Sequence, residues 1–170
     1  DPTERFRHWL RRMVVGNEIL VPGQDDLPVQ YIDAADMCGW MVRLLEEGSA
    51  SGPYNAVGAA EPYRARPLLE GLRDSTGSTS TLTWIPWDWI RKATTETPNY
   101  GPWYGSGPMP FMQVNNDRAI GAGLTFRPIA ETAKDMIAKL DQVPVRDGRR
   151  GGFSAETEAS LLEKWHAEQG

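Results

Sequence analysis

Residues 28–48 read PVQYIDAADMCGWMVRLLEEG, a β-forming stretch that runs directly into an apolar helix. Residues 28–32 are rich in β-forming types and predict a strand. Asp33 or Asp36 can then cap a helix that Gly48 ends. One side of this helix carries its large apolar side chains: Met37, Trp40, Met41, Leu44 and Leu45. A helix with so wide an apolar face needs another layer of structure to cover it.

The segments on either side predict further short strands that alternate with helices. Strands are expected at residues 18–23, 52–58 and 81–86, and helices at residues 4–15, 66–76, 87–93, 117–120, 129–140 and 154–170. Asn116 is expected to cap the turn at 117–120, and Ser154 the last helix. Such alternation is typical of an α/β fold, here mostly helical. The strands are few and short for a complete doubly wound sheet, which predicts that part of the sheet is supplied from elsewhere.

One long segment without a regular pattern separates the last strand from the closing helices. Residues 94–110, TTETPNYGPWYGSGPMP, are crowded with proline, glycine and aromatic residues. A loop of this length is either disordered or functional, and Trp103 and Tyr104 favour function because disordered segments are poor in aromatics. The expected organisation is a main unit over residues 1–142, a linker at 143–153 and a C-terminal amphipathic helix over 154–170.

Composition and charge exclude several classes of protein. The length of 170 residues suits one domain, and the net charge of −5 argues against a nucleic-acid partner. No apolar run is long enough to span a membrane, so no membrane partner is expected. The single cysteine, Cys38, excludes an internal disulfide and favours a reducing cytoplasm. Because Cys38 lies in an apolar helical run, we expect a buried, inert thiol.

Five pieces of the chain, in their order, resemble the C-terminal half of the extended short-chain dehydrogenase/reductase family, the NAD-dependent epimerase/dehydratase group. They are DPTERFRHWLRRMVVGNEILVPG (1–23), PVQYIDAADMCGWMVRLLE (28–46), GPYNAVG (52–58), EPYRARPLLEGL (61–72) and VNNDRAIGAGLTFRPIAETAKDMI (114–137). The resemblance implies the edge of a Rossmann-like sheet joined to a small, mixed, mostly helical substrate-binding lobe. It also implies a parent reaction of hydride transfer, with NAD or NADP, at a carbonyl or hydroxyl carbon of a small metabolite.

The catalytic and cofactor-binding motifs of that family are absent from this chain. The family binds its cofactor on a G-x-x-G-x-x-G turn, where glycine lets backbone amides approach the pyrophosphate, and no such turn occurs. Its catalytic pair is Tyr-x-x-x-Lys, but the residues four positions before the lysines here are Asp88, Ala130, Asp135 and Ser160. Two histidines and one cysteine do not make a convincing metal site. We therefore expect no catalytic, cofactor-binding or metal-binding residues, and no cofactor bound by this chain alone.

The resemblance assigns substrate binding to the first helix and to the long loop. The residues it implies are Arg5, Phe6, Trp9, Arg12, Trp103 and Tyr104. Aromatic side chains in the loop can cover a substrate by stacking or hydrogen bonding. The alternative is that Phe6 belongs to the core, that the arginines are surface residues, and that the two loop aromatics attach the loop to the body.

The helix over residues 34–47 carries the prediction about partners. In the family that this chain resembles, this helix and the YNAVG strand complete the nucleotide-binding sheet. The apolar stripe of the helix is therefore expected to pack against a sheet from a preceding segment, a separate chain or a second copy. The leading interpretation is the substrate-binding portion of an NAD(P)-dependent reductase or epimerase. The alternatives are a non-catalytic binding or assembly module derived from such an enzyme, and a new type of enzyme that uses the tryptophan- and tyrosine-containing loop together with the arginines.

Overall fold

The structure is a computed structural model of the chain, and it describes residues 4–48, 50–98, 110–140, 142 and 151–170. The fold is mixed α/β, with helix predominating. The helices are α1 (Arg7–Val15), α2 (Ala34–Glu47), α3 (Ala65–Thr76), α4 (Trp87–Ala93), α5 (Asp117–Gly121), α6 (Ile129–Ile137) and α7 (Ala155–Gln169), with a 3₁₀ turn at Pro110–Met112. The strands are β1 (Glu18–Pro22), β2 (Pro28–Val29), β3 (Tyr63–Arg64) and β4 (Thr81–Ile85).

Two small sheets form within the described residues. Strands β1 and β4 pair in parallel, with Glu18 opposite Thr81 and Pro22 opposite Ile85. Parallel strands require a crossover connection, and α2 and α3 lie in the chain between them. The last four residues of β1 are all buried, as expected for a strand covered on both faces. Strands β2 and β3 form a short antiparallel pair.

The main hydrophobic core lies between the parallel sheet and helices α1, α3, α4, α6 and α7. Its largest fully buried side chains are Trp9, Leu10, Met13, Ile19, Leu20, Leu68, Leu69, Leu72, Ile85 and Ile90. The apolar face predicted for the helix after Pro128 packs here, with Ala133 buried and Ile129, Met136 and Ile137 partly buried. Helix α7 joins the same core through Leu161, so the end of the chain lies against its beginning.

A smaller second core covers one side of α2. Trp40 and Leu44 are 3% and 8% exposed and pack against Ala119 and Leu124. The Trp40 indole N–H also donates a hydrogen bond of 2.7 Å to the carbonyl of Ala122. The expectation that the whole apolar stripe of this helix needs a layer from elsewhere is therefore corrected for Trp40 and Leu44, because α5 and the residues after it supply that layer.

Local chemistry explains where the long helices begin and end. The Asp33 side chain accepts a hydrogen bond of 2.8 Å from the N–H of Ala35 and caps α2, and Gly48 ends the helix in the left-handed conformation. Ser154 caps α7 as predicted, by accepting from the N–H of Thr157.

Two predicted strands differ from the structure. The strand expected at 28–32 is limited to Pro28–Val29, and residues 52–58 form no strand. A strand exists only where a neighbouring strand accepts its hydrogen bonds, and no described residue offers a ladder to 52–58.

Candidate functional site

The substrate-binding residues predicted on the first helix occupy three different environments. Arg5 is exposed, Phe6 is half-buried, and Trp9 is 0% exposed at the centre of the core. The Phe6 ring lies 5.2 Å from that of Tyr31, which stacks on Tyr63 at the same distance. Burial, and then the hydrogen bond with Tyr63, raise the pKa of Tyr31. Tyr31 is therefore a neutral phenol that supports packing, unlike a catalytic tyrosine, whose pKa must be lowered.

The fourth residue, Arg12, forms a two-point ion pair with Glu158 of α7. Its Nε and Nη2 atoms donate to the Glu158 carboxylate at 3.1 and 3.0 Å. The same carboxylate accepts the N–H of Leu20 at 3.0 Å, and Arg12 donates to the carbonyl of Glu18 at 3.0 Å. These backbone groups lie on the edge of β1 that faces away from β4, so the ion pair satisfies an edge that would otherwise lack partners. Trp103 and Tyr104, the last two predicted residues, lie outside the described residues.

An open cavity of about 1020 Å³ lies between the start of α1 and the start of α7. The residues lining it include Glu4, His8, Arg11, Arg12, Glu96 and Glu158. Both arginines are engaged, because Arg11 lies 3.3 Å from the Glu4 carboxylate and Arg12 is paired with Glu158. The cavity thus has room for a small metabolite, but neither arginine is available as an uncommitted anion-binding group.

His8 forms part of the cavity wall beneath residues 151–152. Its pKa is lowered to about 4, first by burial and then by the charge of Arg12, against an opposing hydrogen bond with the backbone of Gly151. A Cβ atom placed on Gly152 would lie 2.2 Å from the His8 ring, and the φ of Gly152 is +79°. Only glycine fits at this position, and the segment that leads into α7 is held directly on a neutral histidine.

The other candidate site is an exposed apolar surface on α2, which we call the outer stripe: Cys38, Met41, Val42 and Leu45. All four residues are exposed, and Met41, Val42 and Leu45 retain 50%, 52% and 80% of their accessible surface. The expected buried thiol is thus wrong, because Cys38 faces away from the core that covers Trp40. At about 100° per residue, the apolar arc of α2 spans about 200°, and the chain covers only the half that contains Trp40 and Leu44.

A segment without regular secondary structure, residues 52–58, lies beside α2. The rings of Trp40 and Tyr54 meet edge to face with 5.4 Å between their centroids, and the Arg118 guanidinium lies 4.7 Å from the centroid of the same tyrosine ring. The backbone N–H groups of residues 54–57 donate to no partner among the described residues. An exposed apolar helix face beside backbone donors that lack a partner among the described residues is typical of an interface.

Two polar connections that the sequence analysis did not identify hold this region in place. The carboxylate of Asp36 accepts from Nε and the backbone N–H of Arg127 at 2.8 and 2.9 Å, and Asp33 accepts from Thr132 at 2.7 Å, which fixes α2 to α6. The second is Asn116, whose side chain binds the carbonyls of residues 57–59 and does not cap α5. Pairings 57 to 99 residues apart leave no local signal in the sequence.

The part of the chain that the structure describes contains no group of three or more histidine, cysteine, aspartate or glutamate residues able to hold a metal ion. Among the helices in those ranges, none has the length and apolarity needed to cross a membrane. Comparison of the chain with protein-family models, with curated proteins and with solved structures finds no match.

Proposed function

We propose that this chain is the substrate-binding C-terminal portion of an NAD(P)-dependent reductase or epimerase that acts on a small carbonyl or hydroxyl metabolite. The nucleotide-binding half of the enzyme docks on the outer stripe and on residues 52–58. The observation that carries this proposal is the position of an uncovered apolar helix face beside residues 52–58, a segment in which the backbone N–H groups of residues 54–57 have no described partner. The resemblance of the ordered sequence pieces to extended short-chain dehydrogenases supports the same assignment.

The energetics indicate that docking uses both features together. Covering the exposed parts of Met41, Val42 and Leu45 contributes about 1–2 kcal/mol for each side chain. Association of two separate molecules costs about 4–15 kcal/mol in lost motional freedom. The outer-stripe side chains of this chain alone therefore do not offset the cost of association with a separate molecule. Hydrogen bonds to a neighbouring strand from alternate N–H groups of residues 54–57, which have no described partner, or a covalent link between the halves, supply the remainder.

The proposed division of labour assigns the chemistry to the other half. The glycine-rich turn that binds NAD or NADP, and the tyrosine–lysine pair that exchanges a proton with the substrate oxygen, belong to the docked half. This chain selects the substrate, with Arg5, Phe6 and the neighbouring cavity at the start of α1 as its contribution. An exposed Cys38 thiol fits the reducing cytoplasm that we propose as the compartment.

The single cysteine provides a direct test of docking, because it lies in the outer stripe. A disulfide reagent such as DTNB should react with Cys38 of this chain at the rate of an accessible thiol, measured against the same chain unfolded in urea. When the nucleotide-binding half encoded with it is present, the rate should fall by at least about tenfold. A Leu45→Glu variant is the matched control, since it should fold normally and lose the protection. An unchanged rate in the presence of that half would overturn the proposal.

Cofactor binding gives an independent check. Titration of this chain alone with NADH or NADPH, followed by the fluorescence of the reduced nicotinamide, should show no saturable binding. Saturable micromolar binding by this chain alone would contradict the assignment of the cofactor site to the other half.

A non-catalytic assembly module is the second candidate, and the spacing of the outer stripe favours it. Residues 38, 41, 42 and 45 follow the i, i+3, i+4, i+7 pattern that pairs one helix with another. In that case, Cys38 protection should increase with the concentration of this chain alone, and light scattering should show a defined oligomer.

A further inference from the structure

Strand β4 is paired along one edge only within the described residues, and the strand beside that edge is β1. In a parallel ladder, alternate residues of each strand direct both backbone groups at the neighbouring strand. The N–H of Thr81 donates to the carbonyl of Asn17 at 3.3 Å, so the odd-numbered residues of β4 face β1. Leu82 and Trp84 therefore direct their N–H and carbonyl groups the other way, where no described residue bonds to them.

These outward-facing backbone groups of Leu82 and Trp84, which we call the β4 edge, differ from the opposite edge of the same sheet. On β1, the N–H of Leu20 is occupied by the carboxylate of Glu158, and Arg12 donates to a β1 carbonyl. An edge strand without such cover is a template for another strand. The β4 edge is therefore the place where this sheet can be extended.

The β4 edge is only two residues long, because the positions beyond it offer no backbone donor. The N–H of Ser80 already donates to the hydroxyl of Ser78 at 3.2 Å. Pro86 has no N–H, and its carbonyl accepts from Trp89 and Ile90 at 3.0 and 3.1 Å. A ladder on this edge therefore ends on both sides, and a longer extended peptide would gain little from its additional residues.

We propose that a second copy of this chain pairs with the β4 edge, antiparallel and in the register that places Thr83 opposite the partner's Thr83. Leu82 then lies opposite the partner's Trp84, and each of the two such pairs exchanges two hydrogen bonds. The same register sets Ser80 opposite the partner's Pro86, where neither strand has a donor to offer. This match of the edge to itself favours a second copy over an unrelated peptide. The inference does not depend on the proposed function.

The side chains along the β4 edge suit the same register. Leu82 and Trp84 both pack, partly buried, against the main core. In antiparallel pairing, each would lie about 5 Å, between Cβ atoms, from the apolar residue opposite it. Thr83 points to the other face and would form a β-branched pair on the two-fold axis. Because the paired surface is small, we expect an equilibrium between monomer and dimer rather than a permanent dimer.

Cysteine cross-linking tests the register, in a Cys38→Ser background that removes the single native thiol. Thr83→Cys would place two cysteines in a non-hydrogen-bonded pair with Cα atoms about 4.5 Å apart, within the range of a disulfide. Thr81→Cys is the matched control: Thr81 is more exposed than Thr83, but in this register the two copies of residue 81 lie more than about 10 Å apart. Under mild oxidation, Thr83→Cys should form the disulfide-linked dimer at least about tenfold faster. Equal rates, or a faster reaction of Thr81→Cys, would overturn the inference.

Sedimentation equilibrium tests the hydrogen bonds. The average mass should rise from that of one chain toward that of two between about 10 μM and about 1 mM. Leu82→Pro removes an N–H that no described residue uses, and Leu82→Ala removes the same side chain but keeps that N–H. A dimer of Leu82→Pro lacks two hydrogen bonds, so it should form at least about tenfold more weakly than a dimer of Leu82→Ala.

The remaining outcomes also decide the matter. Circular dichroism shows whether Leu82→Pro is folded, and if it is not, the cross-linking rates decide alone. A wild-type chain that remains monomeric at about 1 mM would overturn the inference. A dimer that Leu45→Glu abolishes and folded Leu82→Pro leaves intact would show that two copies meet through the outer stripe, and the β4 edge would then be refuted as the interface.

Discussion

Replacing His8 by glutamine should remove a pH dependence of stability that the wild-type chain shows. His8 is 7% exposed beneath residues 151–152, and burial is the first cause that lowers its pKa from 6.5 to about 4, followed by the charge of Arg12. The folded state therefore keeps the ring neutral over a range in which the unfolded chain already binds a proton. The stability that depends on neutral His8 is complete above about pH 7 and is lost as the pH falls from 6.5 toward 4.

The size of the effect follows from the two pKa values. At pH 5 the unfolded chain has bound its proton almost fully and the folded chain has not, which lowers the free energy of unfolding by about 2 kcal/mol. At pH 4 the loss approaches about 3 kcal/mol. The measurement at pH 5 is more informative than that at pH 4, because carboxylates are still mostly ionised at pH 5 and their protonation adds less to the change in stability.

Urea denaturation at pH 7.5 and at pH 5, followed by tryptophan fluorescence, measures the difference. His8→Gln should be less stable than the wild type at pH 7.5, because a buried ring is lost, but should lose about 2 kcal/mol less on acidification. The chain has two histidines, so His166→Gln is a matched control, and it should retain the contribution of His8. Equal losses in wild type and His8→Gln would refute the conclusion that His8 is buried in its neutral form.

Five further substitutions test packing at other positions, each by urea denaturation. Leu44→Ala should lower the free energy of unfolding by about 2–5 kcal/mol, because Leu44 is only 8% exposed. Leu45 lies on the same helix but is 80% exposed, so Leu45→Ala should change that free energy by less than about 0.5 kcal/mol. Similar losses for the two variants would contradict the assignment of the two faces of α2. Gly77→Ala should lower the free energy of unfolding by about 1 kcal/mol, because φ at Gly77 is +67° but a Cβ there has no atom within 4 Å. Gly58→Ala should destabilise the fold far more, because a Cβ on Gly58 would collide with the backbone of Tyr31. Glu158→Gln should lower the free energy of unfolding by about 2–3 kcal/mol, because it leaves Arg12, whose side chain is only 24% exposed, without its counter-ion. An unchanged free energy of unfolding would show that this ion pair does not close the sheet edge.

The sequence predicts the helices well where their ends depend on nearby residues. Asp33 and Gly48 limit α2 as expected, and Ser154 begins α7, because a cap bonds to backbone within the same turn. The prediction of a strand at 52–58 is wrong for a related reason. A strand requires a partner, and the composition of the segment contains no information about whether one lies beside it.

The candidate site was less predictable because its contacts join distant residues. Arg12 was expected to shape a pocket, but it forms an ion pair with a residue 146 positions away. Asn116 stands where a helix cap belongs, and only the fold reveals that its amide reaches 58 residues back to Gly58. The apolar stripe of α2 was recognised from its spacing. Its division into a covered face with Trp40 and an exposed face with Cys38 depends on where α5 lies.

The ion pair between Arg12 and Glu158 has a consequence for where this protein can be shortened. Truncation before Ala155 would remove the carboxylate that occupies the outer side of β1, and the bare strand Glu18–Pro22 would then offer a template to neighbouring molecules. Aggregation of such a truncated chain would begin at this strand, beside the part of the core that the loss of Leu161 uncovers. The final helix therefore preserves solubility as well as adding to the core.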